Sequence, residues 1–351
     1  MKAKLVEFLT CLNCGSPLQS VAEKEDSTLP WTEVLEGRLV CQQCGQRYPI
    51  SRGVPRMMSG SLPEEVEKTV NGFGYEWQTF DKHIQDTYMT DKTNFLDFIA
   101  PVTPDFFAGK VVLDAGCGMG RFLKLAADFG SQEVIGVDLS GSVDVAYRHT
   151  RHWPNAHVIQ ADIMALPLKP VFDYIFSIGV LQFLENPRAG FDHLTRLLGG
   201  EGSISVWVYA QENNGWVIRL VSPVRKYVTS RLPRLLLYGL SQGLGLLLYP
   251  LIKWVYKPLN ENKLSVNLAH RLPYNDYLYY SSQLSYGGVV SIIFDHLVPR
   301  LVTYLSKEEL AGWFSLERFS SVTITSRNNM SWRAYGVCSI AVGAETACRD
   351  I

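Results

Sequence analysis

Residues 110–120 read Lys-Val-Val-Leu-Asp-Ala-Gly-Cys-Gly-Met-Gly, and no other stretch constrains the fold as tightly. A short apolar run, residues 111–113, ends in Asp114. Glycines follow at alternate positions: Gly116, Gly118 and Gly120. Arg121-Phe-Leu-Lys-Leu-Ala-Ala127 then has a helical pattern. The order is strand, tight turn, helix. Glycines in such a turn let the backbone approach a ligand closely and adopt positive φ.

Dinucleotide-binding folds use the same physics with Gly-x-Gly-x-x-Gly. Here the third glycine comes one position early, and Arg121 stands where theirs would be. Three further apolar runs follow. Residues 133–137 end in Asp138-Leu139, 157–160 lead to Ala161-Asp162-Ile163, and 172–176 run into Ser177-Ile-Gly-Val-Leu-Gln182. The pattern Asp-x-Gly-x-Gly-x-Gly, with acids at three successive strand tips, resembles class I S-adenosylmethionine (SAM) methyltransferases of the type 11 kind. The resemblance implies an α/β fold: a seven-stranded Rossmann-like sheet binding SAM. Its cofactor residues would be Asp114, Ala115, Gly116, Cys117, Gly118, Gly120, Asp138, Leu139, Asp162, Ile163 and Ser177. Asp138 would hold the ribose hydroxyls, and Asp162 the adenine amino group.

The N-terminal module carries two knuckles, Cys11-Leu-Asn-Cys14-Gly and Cys41-Gln-Gln-Cys44-Gly. Each places two thiolates on one side of a turn, and four thiolates close a tetrahedral site with no open position. The expectation is a structural Zn2+ held by Cys11, Cys14, Cys41 and Cys44, which stabilises a module too small for a large core. The run Tyr48-Pro-Ile-Ser-Arg-Gly-Val-Pro-Arg-Met57 resembles the closing strand of small zinc-ribbon proteins that partner tRNA and protein methyltransferases. Residues 20–37, between the knuckles, read as a polar loop.

The expected organisation is a zinc ribbon at 1–60, a linker and aromatic lid segment at 61–107, and the SAM-binding core at 108–210. A mostly helical, hydrophobic and basic insertion follows strand five at 211–303. A last helix and two strands of the core occupy 304–351, with Ser306-Lys-Glu-Glu309 forming a capping box. In the lid segment, Phe73-Gly-Tyr75-Glu76-Trp77 resembles a signature found before motif I in a group of bacterial methyltransferases. Tyr75, Glu76 and Trp77 are therefore candidates to cover the cofactor and substrate.

The insertion holds ten Lys/Arg against four Asp/Glu. Residues 235–252 carry no charge, with Arg231 and Arg234 on one side and Lys253 and Lys257 on the other. This pattern allows a helical cap over the site or an interfacial hairpin at 215–258 meeting anionic lipid. Arg300, in a Phe-Asp-x-x-x-Pro-Arg stretch resembling one in the same methyltransferase group, is a candidate anion binder. Many ubiquinone/menaquinone-type relatives carry histidine in the motif IV loop. Gln182 occupies that position here, so it can orient an acceptor but cannot act as a base. No catalytic base is assigned.

The net charge of −1 gives no global basic field. The ribbon region, with seven basic and six acidic residues, offers no evident phosphate-binding face. The expected function is therefore O- or C-methylation of a small-molecule or lipid-linked acceptor, with nucleic acid an unlikely partner. One alternative is an rRNA or tRNA base methyltransferase whose ribbon reads RNA. Another is a non-catalytic SAM-fold binding partner. No apolar leader pattern opens the chain, so the expected location is cytoplasmic, with a peripheral position at the inner membrane face as a variant.

Overall fold

The computed structural model describes residues 1–58 and 91–339, together with positions 60, 70, 72 and 74. Four strands lie in the N-terminal module: β1 (Leu18–Asp26), β2 (Glu33–Cys41), β3 (Arg47–Ser51) and β4 (Val54–Met57). Seven follow: β5 (Val111–Ala115), β6 (Glu133–Asp138), β7 (Ala156–Ala161), β8 (Phe172–Ile178), β9 (Leu198–Tyr209), β10 (Phe319–Arg327) and β11 (Ser331–Cys338). All eleven join one sheet in the order β1-β2-β3-β4-β7-β6-β5-β8-β9-β11-β10.

The last seven strands of that order are the expected Rossmann-like core. β5 to β9 run parallel, and β11 lies antiparallel between β9 and β10. Val112, Leu113, Val134, Ile135, Phe176 and Ile204 are fully buried. A sheet covered by helices on both faces needs such continuous apolar strands. Strand order reverses between β5 and β8, so the crevice at the carboxyl ends of these strands is where ligands bind in sheets of this kind.

The sheet does not stop at the core. β4 adds parallel to β7, pairing Arg56 with Gln160 and Met57 with Ala161. The opposite side of the module is fastened too. Thr10 N–H donates to the Pro167 carbonyl, and Lys169 N–H to that of Phe8, each at 2.9 Å. Leu5, Leu9, Leu39 and Met57 share one apolar cluster with Leu113, Ile135 and Ile175. Residues 20–37, read above as a loop, are instead most of the β1–β2 hairpin. Most of β1 is solvated, so the hairpin lacks the apolar alternation by which strands are recognised.

The insertion after β9 is helical, as expected. It includes helices Arg234–Leu251 and Tyr286–Leu297, which pack on each other. The chain returns at the Ala210–Leu305 bridge, and the helix Lys307–Trp313 begins with the expected capping box of Ser306 and Glu309.

Candidate functional site: a glycine-turn cleft and a four-cysteine cluster

The turn after β5 is built by its glycines. Gly116 has φ +94°, and a Cβ there would lie 2.2 Å from Val180 Cγ2. Gly120, at φ +81°, caps the helix Arg121–Asp128. The N–H groups of Gly116 and Cys117 both donate to the Val137 carbonyl, which pins the turn against β6. Cys117 is buried, and burial pushes its thiol well up, so it is no nucleophile.

Asp114 is buried at the tip of β5 beside Ala115. Its carboxyl is raised well above the usual range, by burial first and then by the Asp138 charge. Asp138 ends β6 and bridges two loops. Its Oδ2 accepts Gly118 N–H at 2.9 Å, and its Oδ1 accepts the Ser140 N–H at 2.8 Å and hydroxyl at 2.7 Å. A carboxylate has about four acceptor positions, so a ribose diol would share Asp138 with the turn it orders. The next residue, Leu139, receives Gln160 Nε2 on its carbonyl at 2.9 Å. Asp162 caps the short turn Ile163–Ala165 by accepting Met164 N–H at 2.8 Å, with Ile163 buried behind it. Ser177 donates to the Ala115 carbonyl at 2.9 Å, tying β8 to β5 beneath the cleft. The fold thus brings every expected cofactor residue to one edge of the sheet.

At the motif IV loop, Gln182 belongs to a group whose other members no sequence pattern revealed. Gln182 is fully buried, and neither end of its amide has a hydrogen-bond partner among the described residues. Its backbone carbonyl accepts Thr303 N–H at 2.8 Å, from the end of the insertion. Tyr209, at the end of β9, stacks on Tyr304 with ring centroids 5.8 Å apart and meets Trp207 edge-on at 5.4 Å. The Tyr209 hydroxyl faces Asp295 Oδ2 at 3.5 Å, and Tyr277 OH pairs with His296 Nε2 at 2.8 Å. Burial raises Asp295 to about 6, against the pull of Arg225. Burial also lowers His296 to about 4, with Arg225 adding to the effect. Arg225 is itself buried, and its Nε has no partner among the described residues. These residues are scattered from 182 to 304, so only the tertiary fold assembles them. Arg300 is half-buried near the same end of the insertion. Tyr75, Glu76 and Trp77 lie outside the described residues.

In the N-terminal module the four thiolates of Cys11, Cys14, Cys41 and Cys44 lie within 4.8 Å of one another. Cys11 and Cys44 Sγ are 3.6 Å apart, and Cys14 and Cys41 Sγ 3.5 Å. Tetrahedral Zn–S bonds of about 2.3 Å place sulfurs roughly 3.8 Å apart, so this donor set fits a closed zinc site.

Residues 113–206 match the family model described as a methyltransferase domain, and residues 2–53 match that of the Trm112p-like proteins. A tRNA U34 carboxymethyltransferase of Aeromonas salmonicida is 27% identical over 192 residues, which cover 51% of this chain and 57% of the relative. That of Methylococcus capsulatus is 38% identical over 97 residues, covering 26% of this chain and 29% of the relative. The chain thus spans at most somewhat over half the length of these relatives. Among solved structures, a Synechocystis magnesium protoporphyrin IX methyltransferase is 15% identical, covering 80% of this chain and 90% of that one, with a TM-score of 0.39. A complex of the Haloferax volcanii Trm112 methyltransferase activator with a putative methyltransferase is 22% identical, covering 44% of this chain and 63% of that one, with a TM-score of 0.34.

The tRNA U34 carboxymethyltransferases and the Trm112p-like match run against two expectations: the small-molecule or lipid-linked acceptor, and nucleic acid as an unlikely partner. Both rested on net charge and on the balanced ribbon. The insertion's basic excess, with no acid from 213 to 260, was already legible and did not decide between RNA and lipid. The chain joins a Trm112p-like zinc-ribbon module at residues 2–53 to a class I methyltransferase domain at residues 113–206, on one continuous sheet.

Proposed function

We propose that this protein is a SAM-dependent methyltransferase that modifies a tRNA base, with uridine 34 as the position suggested by its relatives' names. The observation that carries the reading is the fusion itself: a Trm112p-like module continues the sheet of a methyltransferase domain whose curated relatives act on tRNA. SAM supplies a carbon activated by a positive sulfur, so in-line displacement depends mainly on proximity and orientation. Gly116, Gly118 and Gly120 give the backbone approach, Asp138 takes the ribose, and Asp162 takes the adenine edge. Gln182, with Trp207 near it at Gly179, is assigned to the acceptor side. Its buried amide offers one donor and one acceptor edge to a base and orients it without removing a proton. The four cysteines hold a structural Zn2+ that keeps the ribbon folded.

A cytoplasmic site of action follows from this reading. A peripheral position at the inner membrane face rests on the insertion alone.

The test is transfer of label from methyl-labelled SAM to fractionated extract. Label in tRNA supports the proposal, and label confined to lipid, protein or metabolite fractions contradicts it.

A further inference from the structure

The insertion exposes more apolar surface than a free soluble domain tolerates. Among the described residues, nineteen large apolar side chains are exposed, and sixteen of them lie between Trp216 and Leu268. Their centre is the helix Arg234–Leu251. One of its faces is buried: Leu237, Ser241 and Gly245 recur every fourth residue and meet the helix Tyr286–Leu297. A Cβ on Gly245 would lie 2.7 Å from Val290, so the two helices are in close contact there. The opposite face carries Leu235, Leu236, Leu246 and Leu247, each at least 60% exposed, and Trp254 beyond it is 77% exposed. Within Arg234–Glu261 the most apolar window of 18 residues has a mean hydropathy of 1.6, yet only 22% of it is buried. Patches of this size mark an interaction surface.

We infer that this face docks on an anionic phospholipid surface, with the helix lying in the interface plane. Charge identifies the occupant. From 213 to 260 there is no Asp or Glu, while Arg219, Lys226, Arg231 and Arg234 are exposed and Lys253 and Lys257 half-buried. Cations ringing an apolar face match anionic headgroups above an acyl layer. Exposed Trp216, Tyr227 and Trp254 suit the headgroup level.

RNA would engage the cations but leave the leucines in water. A second copy docking by a two-fold would set one cationic ring against its equal, with no acid in the stretch to pair it. A spanning arrangement would strip the contact between Gly245 and Val290. It would also strain the internal tie in which the Thr229 hydroxyl donates to the Leu297 carbonyl at 3.0 Å. This surface stands apart from the tRNA reading, because binding to it needs neither tRNA nor cofactor.

The test is sedimentation of the full chain with phosphatidylglycerol-containing vesicles and with pure phosphatidylcholine vesicles. The expected result is binding to the first, weakened at least tenfold by Leu246→Glu with Leu247→Glu and by Arg231→Glu with Arg234→Glu. Both pairs lie on the exposed surface, so melting temperature checks that they fold. Three results would overturn the inference. One is no vesicle binding by the parent protein. The second is binding that ignores lipid charge and both double variants. The third is a parent dimer that Leu246→Glu with Leu247→Glu dissociates while vesicles remain unbound.

Discussion

Glu33 in β2 and Arg151, just after the helix Val143–Thr150, meet at 3.0 Å across the seam between ribbon and methyltransferase core. Glu33 is fully buried, and its carboxylate also accepts the Tyr147 hydroxyl at 2.8 Å and faces Lys2 Nζ at 3.7 Å. Lys2 in turn donates to the Ala156 carbonyl at 2.8 Å, on β7. Two modules found as separate family matches are therefore joined by a buried charge network as well as by the sheet.

Removing the central acid of this network leaves Lys2 and Arg151 without their shared partner. Glu33→Ala is expected to destabilise the chain by roughly 3 kcal/mol, the scale for breaking a buried ion pair from one side. Urea denaturation checks this. An unchanged midpoint would mean that the seam contributes little.

Metal removal should propagate. Structural zinc contributes on the order of 10 kcal/mol to modules of this size, and β4 of the ribbon is hydrogen-bonded to β7. Cys41→Ser, or chelation of the parent protein, is expected to abolish stoichiometric zinc in metal analysis and to lower the melting temperature of the core. Zinc loss with an unaltered core transition would show that the two modules melt independently.

The glycine turn tolerates no side chain at its first position. Gly116→Ala places a Cβ in the left-handed region and against Val180. SAM affinity is expected to fall on the order of a hundredfold, about 3 kcal/mol. Calorimetric titration measures it, with the melting temperature as the control for folding.

The buried pair Asp295 and His296 gives opposed pH terms. His296 falls from 6.5 to about 4 on folding, so the unfolded chain binds more protons between these values and stability drops as pH falls through that window. Asp295 rises from 3.8 to about 6, so the folded chain binds more protons there and stability grows as pH falls. The two largely cancel in the parent protein. Asp295→Asn is expected to unmask the histidine and to lose melting temperature steadily from pH 6.5 toward 4, relative to its own value at pH 7. A parallel shift at all pH values would contradict this.

Where local structure is set by contiguous chain, the sequence was legible. The turn from Asp114 to Gly120, the acids at the strand ends 138 and 162, the paired cysteines and the Ser306 capping box all take the places expected of them. The β1–β2 hairpin was misread because its pairing is satisfied by backbone while its side chains stay in water. Gln182, Tyr209, Arg225 and Asp295 were not legible as a group, because they converge only when the insertion folds back over β9. The acceptor class was misjudged because the balanced charge of the ribbon was taken to argue against RNA, although charge balance over a module does not report its binding face.

Nucleoside mass spectrometry of tRNA from a strain lacking this protein, set beside its parent, tests the central claim most directly. The account predicts that one modified nucleoside, at the first anticodon position, disappears and that the purified protein restores it with SAM. Identical nucleoside profiles in the two strains would contradict it.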